Sequence, residues 1–176
     1  MSSTATSGMG RDADPLAICD YSPAWASQFA DLSARVVNSL QKIVLRIEHV
    51  GSTAVPGLAA KPIIDMDVVL ASSVDLPQAI RLLADLGYVH EGDLGVNGRE
   101  AFRCPSGEAR HHLYVLMEGA AELRRHVAFR DALRADAALR DEYVQLKKIL
   151  AAQYPGDREA YTQGKSTFIK AVIRAI

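Results

Sequence analysis

Two aspartates, Asp65 and Asp67, interrupt the most apolar run of this sequence, which extends from Ile63 to Ala71. The run is rich in β-branched residues and is entered through a proline, which is typical of a β-strand. Side chains alternate between the two faces of a strand, so both carboxylates lie on one face while Ile64 and Met66 lie on the other. Carboxylates within an apolar strand need partners. The pair therefore predicts a strand with one core face and one charged face.

A glycine-serine pair precedes this strand. The β-branched run Ile43–Val50 predicts another strand, and it stops at Gly51-Ser52. Glycine lets a phosphate approach the backbone, and the serine hydroxyl and the amides of a short helix can donate hydrogen bonds to its oxygens. An ordinary strand-to-helix turn with a serine cap would look the same. The combination with Asp65 and Asp67 favours an anion-binding loop beside a charged site.

Asp65 and Asp67 also supply the hard oxygen ligands that Mg²⁺ or Mn²⁺ prefers. Such a cation bridges nucleotide phosphates and neutralises charge in phosphoryl and nucleotidyl transfer. We therefore expect both aspartates to be metal ligands and catalytic residues. The alternatives are a solvated strand face and a metal-free remnant of the same architecture.

The rest of the chain predicts an α/β (α+β) architecture. Helices are expected from Pro23 to about Gln41, from Leu76 to Leu86, and through a tail that begins at Ala121 and whose last helix is capped by Asp157. Strands are expected over Lys61–Leu70, Tyr88–Glu91, Arg99–Cys104 and Arg110–Met117, the last two as an antiparallel hairpin. The expected fold is a mixed β-sheet with helices packed mainly on one side and a C-terminal helical tail.

Gly51-Ser52 with Asp65-Met66-Asp67 resembles the signature of the nucleotidyltransferase fold. A wider pattern resembles the GrpB family, and it comprises His49–Gly57, Arg110–Leu113, Arg124–Arg130 and Tyr161–Ile169. The resemblance covers nearly everything after residues 1–14, which are rich in Ser, Thr, Gly, Ala and Asp and which we expect to be a disordered leader. Residues 15–176 are expected to form one domain. GrpB-like domains also occur joined to dephospho-CoA kinase.

The resemblance also implies a third carboxylate on a later strand, and this sequence departs from it. The predicted register instead places Arg110, His112 and Tyr114 on one face of that strand, where relatives tend to show His-x-His. Imidazole is a poor Mg²⁺ ligand, so His112 is better suited to act as a general base, a phosphate donor or a ligand for a softer metal. We expect His112 to be catalytic and His111, on the opposite face, to be a core residue.

Several cationic side chains are candidates for binding phosphates or an acidic acceptor, because arginine presents a planar fork and lysine a compact charge. They are Lys61, Arg103, Arg110, Arg125 and Lys165. Surface salt bridges are the alternative for each, and the favoured one for Arg125. With Gly51 and Ser52, the set at Lys61, Arg103, Arg110 and Lys165 forms the expected nucleotide-phosphate site.

Composition limits the partners. The formal net charge of −1 and the scattered Lys and Arg residues do not favour nucleic acid. Two distant cysteines and the lack of a long apolar run favour a cytoplasmic protein that does not enter a membrane. We expect a metal-dependent nucleotidyltransferase that moves an NMP group from an NTP to a small-molecule acceptor. A non-catalytic module that binds a nucleotide or a CoA-like ligand and a metal-dependent phosphohydrolase are the alternatives.

Overall fold

The computed structural model describes residues 18–175, so the predicted leader over residues 1–14 lies outside the described part of the chain. The helices are α1 Ala24–Leu40, α2 Leu76–Asp85, α3 Ala121–Ala135, α4 Ala137–Gln153 and α5 Arg158–Ala175. The strands are β1 Val44–Val50, β2 Ile64–Leu70, β3 Val89–Gly92, β4 Arg99–Arg103 and β5 His111–Met117. Within residues 18–175, no helix combines the length and the apolarity that a bilayer crossing requires.

The five strands form one mixed sheet in the order β1-β2-β5-β4-β3. β2 and β5 are parallel, and the other neighbouring pairs are antiparallel, including the predicted β4–β5 hairpin. The register places Asp65 opposite His112 on the adjacent strand. β2 starts at Ile64 rather than at the predicted Lys61, because the Ile63 amide turns back to the Lys61 carbonyl at 2.8 Å.

One face of the sheet is covered by α1 and α2. The largest cluster of buried apolar residues joins these helices to β2 and β5, and it includes Trp25, Val36, Leu40, Met66, Val68, Ala79, Leu83, Leu113 and Val115. His111 lies on this face, where its Nε2 atom is 2.7 Å from the Tyr88 hydroxyl. The expectation that His111 is a hydrogen-bonded core residue is confirmed. The predicted strand alternation leaves the opposite face to Asp65, Asp67 and His112.

The helical tail holds the loop that connects β1 to β2. Val55 and Leu58 of this loop are fully buried in a cluster with Tyr143 of α4. Arg134 of α3 donates two hydrogen bonds, of 2.7 and 2.9 Å, to the Ala54 carbonyl. Buried carbonyl groups require such donors, so the tail fixes the path of the loop that begins with Gly51-Ser52.

Candidate functional site

A cleft of about 610 Å³ opens on the sheet face that bears Asp65. Its cationic lining residues are Lys61, Arg99, Arg110, Arg125, Lys147, Arg158 and Lys165, and its carboxylates are Asp65 and Glu122. Since the whole chain has a formal net charge of −1, these cations are concentrated locally. A cleft whose lining carries an excess of one sign of charge attracts ligands of the opposite sign, so this cleft suits a polyanion.

Gly51 and Asp65 are in direct contact at the floor of the cleft. Gly51 has φ +70, a left-handed conformation that favours glycine, and a Cβ atom at this position would overlap Oδ2 of Asp65. The sequence suggested that glycine was required to admit a phosphate. The structure adds a second reason, because any larger residue would displace the carboxylate of Asp65.

His112 is oriented by Asp65. Its Nδ1 atom lies 2.7 Å from Oδ1 of Asp65, and both side chains line the cleft. An ionised carboxylate only accepts hydrogen bonds, so Nδ1 carries the proton and Nε2 of the neutral ring is left as a base. The predicted register, with His112 and Asp65 on one face, is confirmed by the strand pairing.

Asp67 is joined to His126 of α3, which lies within the family-like segment Arg124–Arg130 but was not among the predicted site residues. Oδ2 of Asp67 lies 2.7 Å from Nδ1 of His126, and Nε2 of the same ring lies 3.0 Å from Glu122. Both ring nitrogens face carboxylates, so both donate. Burial opposes a charge on the ring, yet the hydrogen bonds to Asp67 and Glu122 raise the pKa of His126 to about 9. His126 is therefore an imidazolium held between two carboxylates.

The two aspartates fit a divalent cation as a partial ligand set. Oδ1 of Asp67 is buried without a hydrogen-bond partner among the described residues, and an unpaired anionic oxygen of this kind suits a cation. Within residues 18–175, no three His, Cys, Asp or Glu side chains are grouped to hold a metal ion. Mg²⁺ is commonly held by one or two carboxylates together with substrate phosphates and water. Asp65 and Asp67 match that pattern.

Ser52 is held by Lys147, a second residue that sequence reasoning missed. The Lys147 ammonium lies 3.3 Å from the Ser52 hydroxyl oxygen and also donates to the Ala59 carbonyl. Only 3% of Lys147 is exposed, and burial lowers its pKa to about 7. Its ammonium is 4.9 Å from the ring centre of Tyr143, four residues earlier in α4. The available signal in the sequence was a lysine at helical spacing from the apolar ring of Tyr143.

The predicted lysines meet at Tyr161. The ammonium groups of Lys61 and Lys165 lie 5.2 and 4.5 Å from the centre of its ring, and all three side chains line the cleft. Burial lowers the pKa of Lys165 to about 8. Arg110 also lines the cleft. The structure therefore brings three of the four predicted phosphate-binding cations to one cavity.

Arg103 lies outside the lining of this cleft. Its side chain is 54% exposed, with one guanidinium nitrogen 3.9 Å from Glu91. The backbone of Arg103 does pair with His112, as the predicted hairpin requires. Its side chain extends instead toward β3 and solvent, which strand pairing alone does not reveal.

Arg125 does line the cleft, but its charge is engaged. Its guanidinium donates to both carboxylate oxygens of Glu122, three residues earlier in α3, and the distance from Nε to Oε2 is 2.8 Å.

His49, at the end of β1, packs within the protein. Its ring stacks on Phe29 with ring centres 4.5 Å apart, and burial lowers the pKa of His49 to about 4. The contacts of His49 are those of a neutral structural residue.

Comparison with solved structures identifies the fold. The structure is similar to the conserved protein GrpB from Enterococcus faecalis, with a TM-score of 0.82 and 34% identity over 90% of this chain and 96% of the other. It is also similar to Cid1 in complex with its product ApU, with a TM-score of 0.54 and 13% identity over 74% of this chain and 42% of that one. The second likeness shows a nucleotidyltransferase-like fold.

Sequence comparison also identifies GrpB as the family. The family described as GrpB protein matches residues 15–175. UPF0157 protein YqkA of Bacillus subtilis is 37% identical over 150 residues, which cover 85% of this chain and 44% of YqkA. A dephospho-CoA kinase of Mycolicibacterium paratuberculosis is 24% identical over 91% of this chain and 46% of the kinase. The chain thus spans less than half the length of both relatives.

Proposed function

The chain belongs to the GrpB family, and we propose that it is a metal-dependent nucleotidyltransferase that transfers an NMP group from an NTP to a small-molecule acceptor. The single observation that carries the proposal is the cationic cleft, in which Asp65 lies between the Gly51-Ser52 loop and His112. The nucleotidyltransferase-like fold supports the same reaction class.

The triphosphate is assigned to the Gly51-Ser52 loop and to three lysines that line the cleft. Ser52 offers a hydroxyl that Lys147 already holds at 3.3 Å, and Lys61 and Lys165 bring two further charges to the same cavity. Burial lowers the pKa of both Lys147 and Lys165, so an arriving polyanion restores full protonation and gains the attraction of each ammonium. Such preformed cations are suited to phosphate binding.

Asp65 and Asp67 would hold Mg²⁺ or Mn²⁺. When bound, that cation neutralises phosphate charge and polarises the phosphorus that is attacked. Asp65 reaches the cleft directly, whereas Asp67 is fully buried beside His126. We assign Asp65 as the principal carboxylate of the pair.

His112 is assigned as the general base. Asp65 holds Nδ1 of the ring, so Nε2 is available to accept the proton of the acceptor's hydroxyl or amine. The bond between the acceptor and the α-phosphorus forms as the bond from that phosphorus to pyrophosphate breaks. The proton passes to His112, and pyrophosphate leaves with the bonding electron pair.

The proposal is tested by product analysis. The protein is incubated with each of the four NTPs, with Mg²⁺ or Mn²⁺, and with a pool of small metabolites, and the products are identified by mass. We expect pyrophosphate and one acceptor heavier by an NMP group, both absent with the Asp65→Asn variant. Free nucleotide without a modified acceptor would indicate a phosphohydrolase instead.

A non-catalytic nucleotide-binding module is the second candidate, and one observation favours it. His126 already neutralises the fully buried Asp67, so the second carboxylate has a counter-ion within the protein. A module of this kind keeps the cationic cleft and binds an NTP or a CoA-like ligand without turnover. Saturable NTP binding with no product from any NTP and metal combination is the result that supports it.

A further inference from the structure

We propose that the β4 side of the cleft is a separate oxyanion site, built around Arg99 and Tyr114, that binds a carboxylate or phosphate group of the acceptor. The inference rests on the proposed function for the identity of that molecule as the acceptor. The site itself follows from the contacts that Arg99 makes with Tyr114 and Asp93.

The guanidinium of Arg99 is held flat against an aromatic ring. Its central carbon lies 4.4 Å from the centre of the Tyr114 ring, a cation–π contact that orients the planar group. Nε of Arg99 is buried without a partner among the described residues, and the one hydrogen bond of the side chain is long, 3.5 Å to the Asp93 carbonyl. Arg99 lines the cleft, so a guanidinium with so little protein hydrogen bonding has donors left for an acceptor bound there.

Tyr114 gives Arg99 a stable support. It lies on β5, and its ring packs against the buried cluster of Val69, Leu116 and Leu123. Burial raises the pKa of Tyr114 to about 12, so the phenol stays neutral and does not pair with the guanidinium as a phenolate. The positive charge of Arg99 therefore remains available to a ligand.

The sheet order separates this site from the predicted triphosphate site. β4, which carries Arg99, lies two strands from β2, which carries Asp65, and three from β1, which leads into Ser52. Neighbouring strands are about 4.8 Å apart, so these separations are roughly 10 and 14 Å. A nucleotide at Ser52 and an acceptor at Arg99 thus approach Asp65 from opposite sides.

The charges near Arg99 favour this division of the cleft. Arg125 is already paired with Glu122, and His126 with Asp67 and Glu122, while Lys61 and Lys165 gather at Tyr161. Arg99 therefore stands apart from the lysines, and Arg158, which also lines the cleft, is the other cation that acts on Tyr114. The planar guanidinium of an arginine binds the two oxygens of a carboxylate or phosphate side by side. An acceptor molecule without an anionic group would leave the N–H donors of Arg99 unpaired. The acceptor class is accordingly a small acidic molecule.

The experiment titrates inorganic phosphate and, separately, succinate into the full chain saturated with Mg²⁺ and a non-hydrolysable NTP analogue. Arg99→Gln is expected to weaken binding of at least one anion about tenfold or more, as loss of a charge-assisted hydrogen bond implies. The matched control is Arg103→Gln, on the same strand but outside the cleft, which should leave anion binding unchanged. Affinity for the NTP analogue should stay within about twofold in both variants.

The two anions identify the chemistry of the acceptor: binding of phosphate alone supports a phosphorylated acceptor, and binding of succinate alone supports a carboxylic acid. The proposal is overturned if neither anion binds, if Arg99→Gln and Arg103→Gln behave alike, or if Arg99→Gln weakens the NTP analogue as much as the anion. Should Arg99→Gln fail to fold, Arg99→Lys, which keeps the charge but loses the planar fork, must show the same selective loss. Absence of NTP binding in the wild type contradicts the proposed function. The same anion titrations without nucleotide then show whether Arg99 binds an anion.

Discussion

Nδ1 of His126 lies 2.7 Å from Oδ2 of Asp67, and the two groups form a half-buried ion pair at the wall of the cleft, which His126 lines. Nε2 of His126 faces Glu122, so the ring joins a strand carboxylate to a helix carboxylate. The pair ties the first turns of α3 to β2. It also neutralises one of the two aspartates that define the site.

This ion pair predicts a pH-dependent contribution to stability. The pKa of His126 rises from 6.5 to about 9 on folding, so the stabilisation is fully present below pH 6.5 and is lost as pH rises through about 9. In metal-free protein, the excess unfolding free energy of wild type over His126→Gln should shrink by on the order of 2 kcal/mol across this window. Denaturant unfolding from pH 6 to pH 10 measures it.

His90→Gln is the matched control for this measurement, because His90 is hydrogen-bonded to Glu100 at the protein surface. Exposed pairs contribute about 0–1 kcal/mol, so this variant should stay close to wild type. A constant stability difference between wild type and His126→Gln over the whole pH range would show that His126 is not an imidazolium in the folded protein.

Gly51→Ala is expected to damage the site through Asp65. The left-handed conformation of Gly51 costs roughly 1–3 kcal/mol for other residues, and the added Cβ also overlaps the Asp65 carboxylate. Gly119→Ala is the matched control, since Gly119 has φ +78 but no atom near its Cβ position. Both variants should lose stability, but Gly51→Ala alone should lose binding of metal-nucleotide. Equal nucleotide affinity in the two would contradict the contact.

Lys147 is expected to contribute to nucleotide binding as a lysine that becomes fully protonated when the polyanion binds. Its pKa is lowered to about 7 by burial, so wild-type affinity for an NTP should fall as pH rises through that value. Lys147→Met should weaken binding about tenfold at pH 6 and flatten the pH profile, because it removes a charge-assisted contact. Lys148→Met, at the exposed neighbouring position, is the control. A profile in Lys147→Met that matches wild type would remove Lys147 from the site.

The strand side of the site could be predicted from sequence because strand geometry has a period of two. Asp65 and Asp67 on one face, and His111 and His112 on opposite faces of β5, follow from alternation. The parallel pairing of β2 with β5, which sets His112 beside Asp65, does not follow from it. The local turn chemistry likewise marked where α1 and α5 begin.

The helical side of the site could not be predicted in the same way. His126 and Lys147 contact Asp67 and Ser52, which are 59 and 95 residues away in sequence. Helical periodicity shows which residues share a face, but not which strand or loop that face meets. The i,i+4 spacing of Glu122 and His126 is visible in the sequence, but it does not show that α3 places the pair against Asp67 of β2.

Substitution of His112 distinguishes a catalytic protein from a module that only binds nucleotide. If it is the general base, His112→Gln should lower turnover by about 10²–10⁴-fold while sparing NTP affinity. His111→Gln should act mainly through stability, because His111 is hydrogen-bonded to Tyr88 within the core. Turnover, NTP affinity and melting temperature of both variants are the measurements. Unimpaired turnover in His112→Gln would exclude the assigned base.

The most direct test of the site is calorimetric titration of an NTP with and without Mn²⁺ into wild type and Asp65→Asn. Asp65 supplies the cleft-facing carboxylate, so Mn²⁺ should strengthen NTP binding to wild type, and the variant should lose most of that gain while remaining folded. Asp85→Asn, at an exposed position of α2, is the control and should behave as wild type. Asp65 is not a ligand of a catalytic cation if NTP binding to wild type does not respond to Mn²⁺, or if Asp65→Asn responds as strongly as wild type does.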